Sequence, residues 1–200
     1  MRSQVADRVK VIEFARSLGA VVHDQDPDPE SFDVMPFMYD SWVWVVRGEF
    51  YVDPDRFHVG DFLHELGHWA VLPEFARLSF TGDVEESTYP VITAYVEAGR
   101  LDKKGKAMAR ERAGRGDDPV MRACLQCGDS EAIAWSYAAA VHVGVDPGSI
   151  AEKGFAEKHT AKTILVGLSV GAHMGIHGLR ASGFMGHKSE WPKLRRWLAP

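Results

Sequence analysis

Residues 64–68 read His64-Glu65-Leu66-Gly67-His68, and the reading of these five positions decides how the rest of the chain is understood. On a helix, side chains four apart leave one face, so both imidazoles can close on a single metal ion. Glu65 then stands beside that ion. Two neutral nitrogen donors and a carboxylate able to take a proton from water make the HExxH pattern of a zinc site. With 9 His and 13 Glu among 200 residues, chance alone supplies roughly 0.03 such matches. The flanking sequence therefore has to carry the case.

Upstream, Ser41-Trp42-Val43-Trp44-Val45-Val46 and Glu49-Phe50-Tyr51-Val52 are rich in β-branched and aromatic residues, with Arg47-Gly48 between them. They read as two strands of a hairpin joined by a tight turn. Gly60-Asp61 follows, and Asp61 is placed to cap a helix whose apolar positions Phe62, Leu66, Trp69 and Ala70 recur at helical spacing. Pro73 stops that helix, because proline brings no amide hydrogen to a helix interior. The five residues are thus expected on a short helix behind a hairpin.

At this point the chain resembles the zincin metallopeptidases, over about residues 41–72. The resemblance implies a sheet whose edge strand holds an extended substrate, beside a helix carrying two zinc ligands and a general base. Carried over, His64 and His68 are ligands of Zn2+ and Glu65 is the base. No third histidine follows six residues after His68, where the chain has Glu74. That departure points to the gluzincin arrangement, in which a later helix supplies a glutamate.

Glu131 is the favoured third ligand. It opens Glu131-Ala132-Ile133-Ala134-Trp135-Ser136-Tyr137-Ala138-Ala139-Ala140-Val141, an alanine-rich stretch of high helix propensity that Asp129 or Ser130 would cap. A carboxylate in the first turn of so apolar a helix is costly to bury alone, and a cation would compensate it. Glu85 and Glu86 are rivals by their distance from His68, with the plainer reading of solvated acids in a helix's first turn. Asp129 stands behind them. The best-known gluzincins place an aspartate four residues after the glutamate, where this chain has Trp135.

Two hundred residues at 46% hydrophobic suffice for one core. A single zincin-like domain over 1–200 is expected, with the N-terminal helix, hairpin and metal helix in about 1–75 and a helical part supplying the third ligand in about 86–200. The formal charge of −5 gives no reason to expect a nucleic-acid partner. Lys103 to Arg112 is basic, but Asp102, Glu111, Asp117 and Asp118 partly balance it, so it reads as a solvated helix or linker. No secretory signal opens the sequence, and a cytoplasmic address is the default. Instead Val5, Val9, Ile12 and Leu18 mark one face of an amphipathic helix ended by Gly19. Asp24 to Glu30 reads as a loop.

Cys124 and Cys127 are spaced as CxxC without a second pair, which favours incidental thiols over a conditional disulfide or a metal role. From Thr163 to Leu179 no charged residue occurs in 17 positions, short for a membrane span and better read as a buried helix with Gly167, Gly171 and Gly175 as a smooth ridge. His173 and His177 repeat the four-residue spacing without a following acid. Either could donate a hydrogen bond at an active site, and Tyr95, Tyr137, His142 and Arg180 are equally eligible. Trp191, Leu194, Trp197 and Leu198 suggest a final helix docked on the body.

The expected fold class is α+β: a small antiparallel sheet, an active-site helix and a mainly helical second half. The expected chemistry is zinc-dependent hydrolysis of a peptide or related amide in a peptide or protein substrate. The alternative is a metal-binding regulatory or interaction protein on the same scaffold with little or no peptidase activity. A membrane-associated protease is a third reading, resting on residues 163–179.

Overall fold

The computed structural model describes residues 2–24, 43–101, 119–151 and 158–200. In chain order the elements are α1 (Arg2–Ser17), β1 (Val22–His23), β2 (Val43–Val46), β3 (Glu49–Val52), α2 (Val59–Val71), α3 (Glu74–Arg77), α4 (Val84–Ser87) and α5 (Tyr89–Leu101). Then come α6 (Pro119–Leu125), α7 (Asp129–Val143), a 3-10 turn (Pro147–Ala151), α8 (Lys158–Ser169), α9 (Met174–Ala181) and a second 3-10 turn (Lys188–Glu190). The fold class is α+β. The basic stretch 103–112, the segment 25–30 and the first two residues of the expected hairpin, 41–42, lie outside the described residues.

The hairpin forms as its alternation predicts. Val43 pairs with Val52 and Val46 with Glu49, and the turn puts Arg47 and Gly48 both at positive φ, 51° and 77°. Two consecutive left-handed residues match the twist of the strands they join. Val43, Val45, Phe50 and Val52 are buried on one face, where Phe50 meets the edges of Phe62 and Trp69 from α2. The sheet is mixed, not purely antiparallel: β1 adds in parallel on the other side of β3, giving the order β1-β3-β2. Its pattern is only two residues long, too short to stand out in the sequence.

Helix α2 is the centre of the molecule. Phe62, Leu63 and Leu66 are wholly buried, each worth about 1.5–3 kcal/mol relative to exposure. The sheet covers one side and α7 the other, with α1 and the first 3-10 turn completing the enclosure. The helix ends at Val71 with Leu72 as its C-cap, as Pro73 requires. Its N-cap is His58, whose Nδ1 accepts from the Asp61 amide, and not Asp61, which lies inside the first turn. The imidazole acceptor three residues before Asp61 is what the sequence pattern of common caps passes over.

Helix α7 is alanine-rich because it is hemmed in on nearly every side; Ala132, Ala134, Ala138, Ala139 and Ala140 are all buried. Gly144 closes it in the left-handed conformation, φ 73°, returning its amide to Ala140 O. Its N-cap is Gly128, so neither Asp129 nor Ser130 serves as the cap.

Three further expectations are corrected. In α1 Ile12 is buried and, just after the helix, Leu18 packs on the core as expected, and Val11 and Ala15 complete the buried face, but Val5 and Val9 stay 62% and 49% exposed. Residues 163–179 are not one helix: Gly171 at φ 69° breaks the run, and His173 starts α9 by accepting the Gly175 amide. Among the described residues, no helix is long and apolar enough to cross a membrane. Residues 191–198 dock as expected but not as a helix, since proline at 192 lacks the amide and disfavours helical backbone at 191. They are held instead by side chains and one backbone anchor: Trp197 packs edge-on to Trp135 and Phe14, Trp135 Nε1 donates to Trp197 O at 2.9 Å, and the Arg195 amide donates to Phe184 O at 2.7 Å.

Candidate metal centre

Helical spacing in α2 puts His64 and His68 on one face, with their Nε2 atoms 2.9 Å apart. Asp129, at the first position of α7, brings Oδ1 to 3.2 Å from His68 Nε2. The ligand atoms of these three residues all lie within 4.8 Å of one another, and they form the one such group of histidine, cysteine and acid side chains among the described residues. Because Gly128 rather than Asp129 caps α7, the Asp129 carboxylate is not committed to the helix amides. It is free to turn toward α2.

The donor chemistry suits a cation. A neutral imidazole carries one proton, so His68 Nε2 cannot donate fully to Asp129 and also present a lone pair to His64. Burial, and then the neighbouring His68 ring, hold His64 well below the usual histidine range, which keeps it in the neutral form a metal requires. The hydrogen bond from His68 holds Asp129 below the ordinary carboxylate range. Two neutral nitrogens and one carboxylate oxygen fit the donor set of zinc.

Glu65 lies three residues before His68, on the adjoining stripe of α2. Desolvation pushes it up to about 7; the His68 ring opposes the shift, while Asp61, Asp129 and Asp83 add to it. At that value the group is as ready to accept a proton as to release one at neutral pH.

Glu131, the carboxylate expected from the sequence, is not in the cluster. It occupies the third position of α7, where the Gly128 and Glu131 backbone amides favour its charged form against the upward push of burial. That is the acid half of a capping box. Its side chain lies against Gly178 of α9, in the space a β-carbon there would fill. Glu85 and Glu86 are exposed in the first turn of α4, with the Glu86 amide donating to the Asp83 cap. The signal that could have found Asp129 is its place one residue after a glycine cap, pointing off the end of a buried helix.

The other eligible groups are either engaged elsewhere or exposed. His173 caps α9, His177 is exposed, Tyr95 stacks on Phe75 at 4.2 Å and Tyr137 stacks on Trp191 at 5.8 Å. His142 packs against Phe14 and Trp197, and Arg180 is exposed in the last turn of α9. Cys124 and Cys127 are both buried and form no disulfide, and burial pushes the Cys127 thiol up to about 12, the range of an unreactive structural cysteine.

The sheet edge nearest in sequence to α2 is β2. Its Val45 carbonyl already accepts the Gly82 amide at 3.0 Å, and the Arg47 amide donates to Thr81 Oγ1 at 2.9 Å. An extended segment added along this edge would have to displace residues 81–82 at those positions. No family model, curated protein or solved structure matches the chain.

Proposed function

We propose that the protein is a zinc-dependent hydrolase of a peptide or related amide bond, built on a zincin-like scaffold. The observation that supports it is the convergence of His64, His68 and Asp129 beside Glu65. Zinc held by the two histidines and a carboxylate of α7 would supply Lewis-acid polarisation of a carbonyl and a lowered pKa for water. Everything else falls to the chain. The Glu65 carboxylate takes a proton from the attacking water and returns it to the departing nitrogen, a double duty for which a group poised near neutrality is suited. Asp129 would complete the donor set. A purely structural metal would gain nothing from a base beside it.

The test is metal analysis of protein expressed with zinc, together with hydrolysis of a mixed peptide library. One zinc per chain, lost in His64→Ala, and cleavage lost in Glu65→Gln with zinc retained, support the reading; a wild type without metal ends it.

A further inference from the structure

The meeting of His68 with Asp129 depends on how closely α7 lies on α2, and the contact that sets this spacing is small. A β-carbon on Gly67 would fall 2.6 Å from Ala132 O and 2.7 Å from Ser136 Oγ, distances no real side chain tolerates. Gly67 is therefore where the α7 backbone rests directly on the helix that carries both histidines. Ser136, wholly buried, lies across the same point: its Oγ is 2.7 Å from Leu63 O on α2 and 2.7 Å from Ala132 O on its own helix. The hydroxyl proton is shared between the two carbonyls, and the bond to Leu63 joins α7 to the residue immediately before His64.

We infer that Ser136 is a positioning residue for the metal centre: its bond to Leu63 O, over the bare Gly67, fixes α7 at the depth and register at which Asp129 reaches His68. The inference rests on the metal reading above. Ser136 stands among buried alanines of α7, whose methyl groups offer only dispersion and would permit sliding along α2. A hydrogen bond between two helices fixes their position along the axis as well as their separation. Asp129 stands about two turns from Ser136 on α7, so a small change in the seat is carried to the carboxylate.

The experiment uses the full-length protein, with Co2+ and Zn2+ affinities measured by competition with a chromophoric chelator and stability measured separately by urea unfolding of the metal-free form. Ser136→Ala is expected to weaken metal binding about tenfold, the scale of losing a supporting partner of a metal ligand. In an Asp129→Asn background the same change is expected to leave affinity where Asp129→Asn alone puts it, because the serine acts through that carboxylate. The loss of stability persists in both backgrounds. Should Ser136→Ala not fold, Ser136→Cys keeps the size with a weaker donor and is expected to fall between the two. Wild-type affinity in a folded Ser136 variant, or an equal drop with and without Asp129, overturns the inference and leaves the metal reading standing. Absence of metal binding in the wild type overturns both.

Discussion

His68 Nε2 lies 3.2 Å from Asp129 Oδ1, although one residue belongs to the last turn of α2 and the other to the first turn of α7. The two differ sharply in exposure: the His68 side chain is 7% exposed and that of Asp129 79%. A buried base thus meets a carboxylate at the surface, which puts the cluster at the rim of the core, reachable from solvent on the acid's side.

Asp129→Asn and Glu131→Gln should separate by metal content. The first removes the oxygen beside the histidines and is expected to weaken zinc by more than the roughly 10–100-fold that follows loss of an outer partner. The second is expected to keep zinc and to lose stability by about 0.5–2 kcal/mol, as for a helix cap. Chelator competition on the two variants reads the difference, and the reverse ranking would assign the third donor to Glu131.

With Glu65 at about 7, the base form predominates only above that value. A bound cation favours the charged carboxylate, so turnover divided by KM is expected to rise with pH at or below about 7 and level off on the alkaline side. In Glu65→Gln this limb disappears and the rate falls by about 10²–10⁴-fold. A limb that survives the substitution belongs to another group.

The hairpin, the helix bearing His64 and His68 and its stop at Pro73 were legible because each is a local pattern of short range. Asp129 ranks below Glu131 in the sequence because nothing there shows which residue caps a helix when a glycine precedes two acids. Once Gly128 takes the cap, Asp129 moves to the first position and Glu131 to the third, and their carboxylates face different neighbours. The parallel strand β1 and the break at Gly171 were hidden for another reason. A two-residue strand has no periodicity to read, and an apolar run shows its turn only when the glycine's φ is known.

Metal-free protein should show a hidden opposition between two neighbours. The unfolded chain protonates residue 64 near 6.5, whereas the folded one holds out to a much lower pH, so His64 withdraws stability as pH falls below 6.5. Glu65 works the other way: folded, it takes its proton at about 7, unfolded only near 4.5, so it adds stability as pH falls through 7. The two contributions offset one another between 4.5 and 6.5. Urea unfolding of Glu65→Gln in EDTA is expected to expose the His64 share, a fall of up to about 1.4 kcal/mol per pH unit below 6.5, and the wild type should be flatter. Equal slopes would refute the pairing.

Trp135 is wholly buried, meets Phe14 and Trp197, and donates to the Trp197 carbonyl. Trp135→Ala is expected to cost about 3–5 kcal/mol, seen as a lower urea midpoint with an unchanged slope. A loss under about 1 kcal/mol would mean that residues 191–198 contribute little to holding the body together.

The last described residues fasten onto the exit of α2: the Ala199 amide donates to Ala70 O at 2.9 Å, Pro200 O accepts the Glu74 amide at 3.1 Å, and the buried Arg77 guanidinium donates to Ala199 O. Helix ends ordinarily fray, and their amides exchange with solvent far sooner than those of a core. Here the Ala70 carbonyl, in the final turn of the histidine-bearing helix, is tied to residue 199, so fraying of that turn is opposed by a segment far along the chain. The amides at 70–72 are therefore expected to exchange more slowly than those of an ordinary helix end, and His68, in the same turn, is steadied by the same tie.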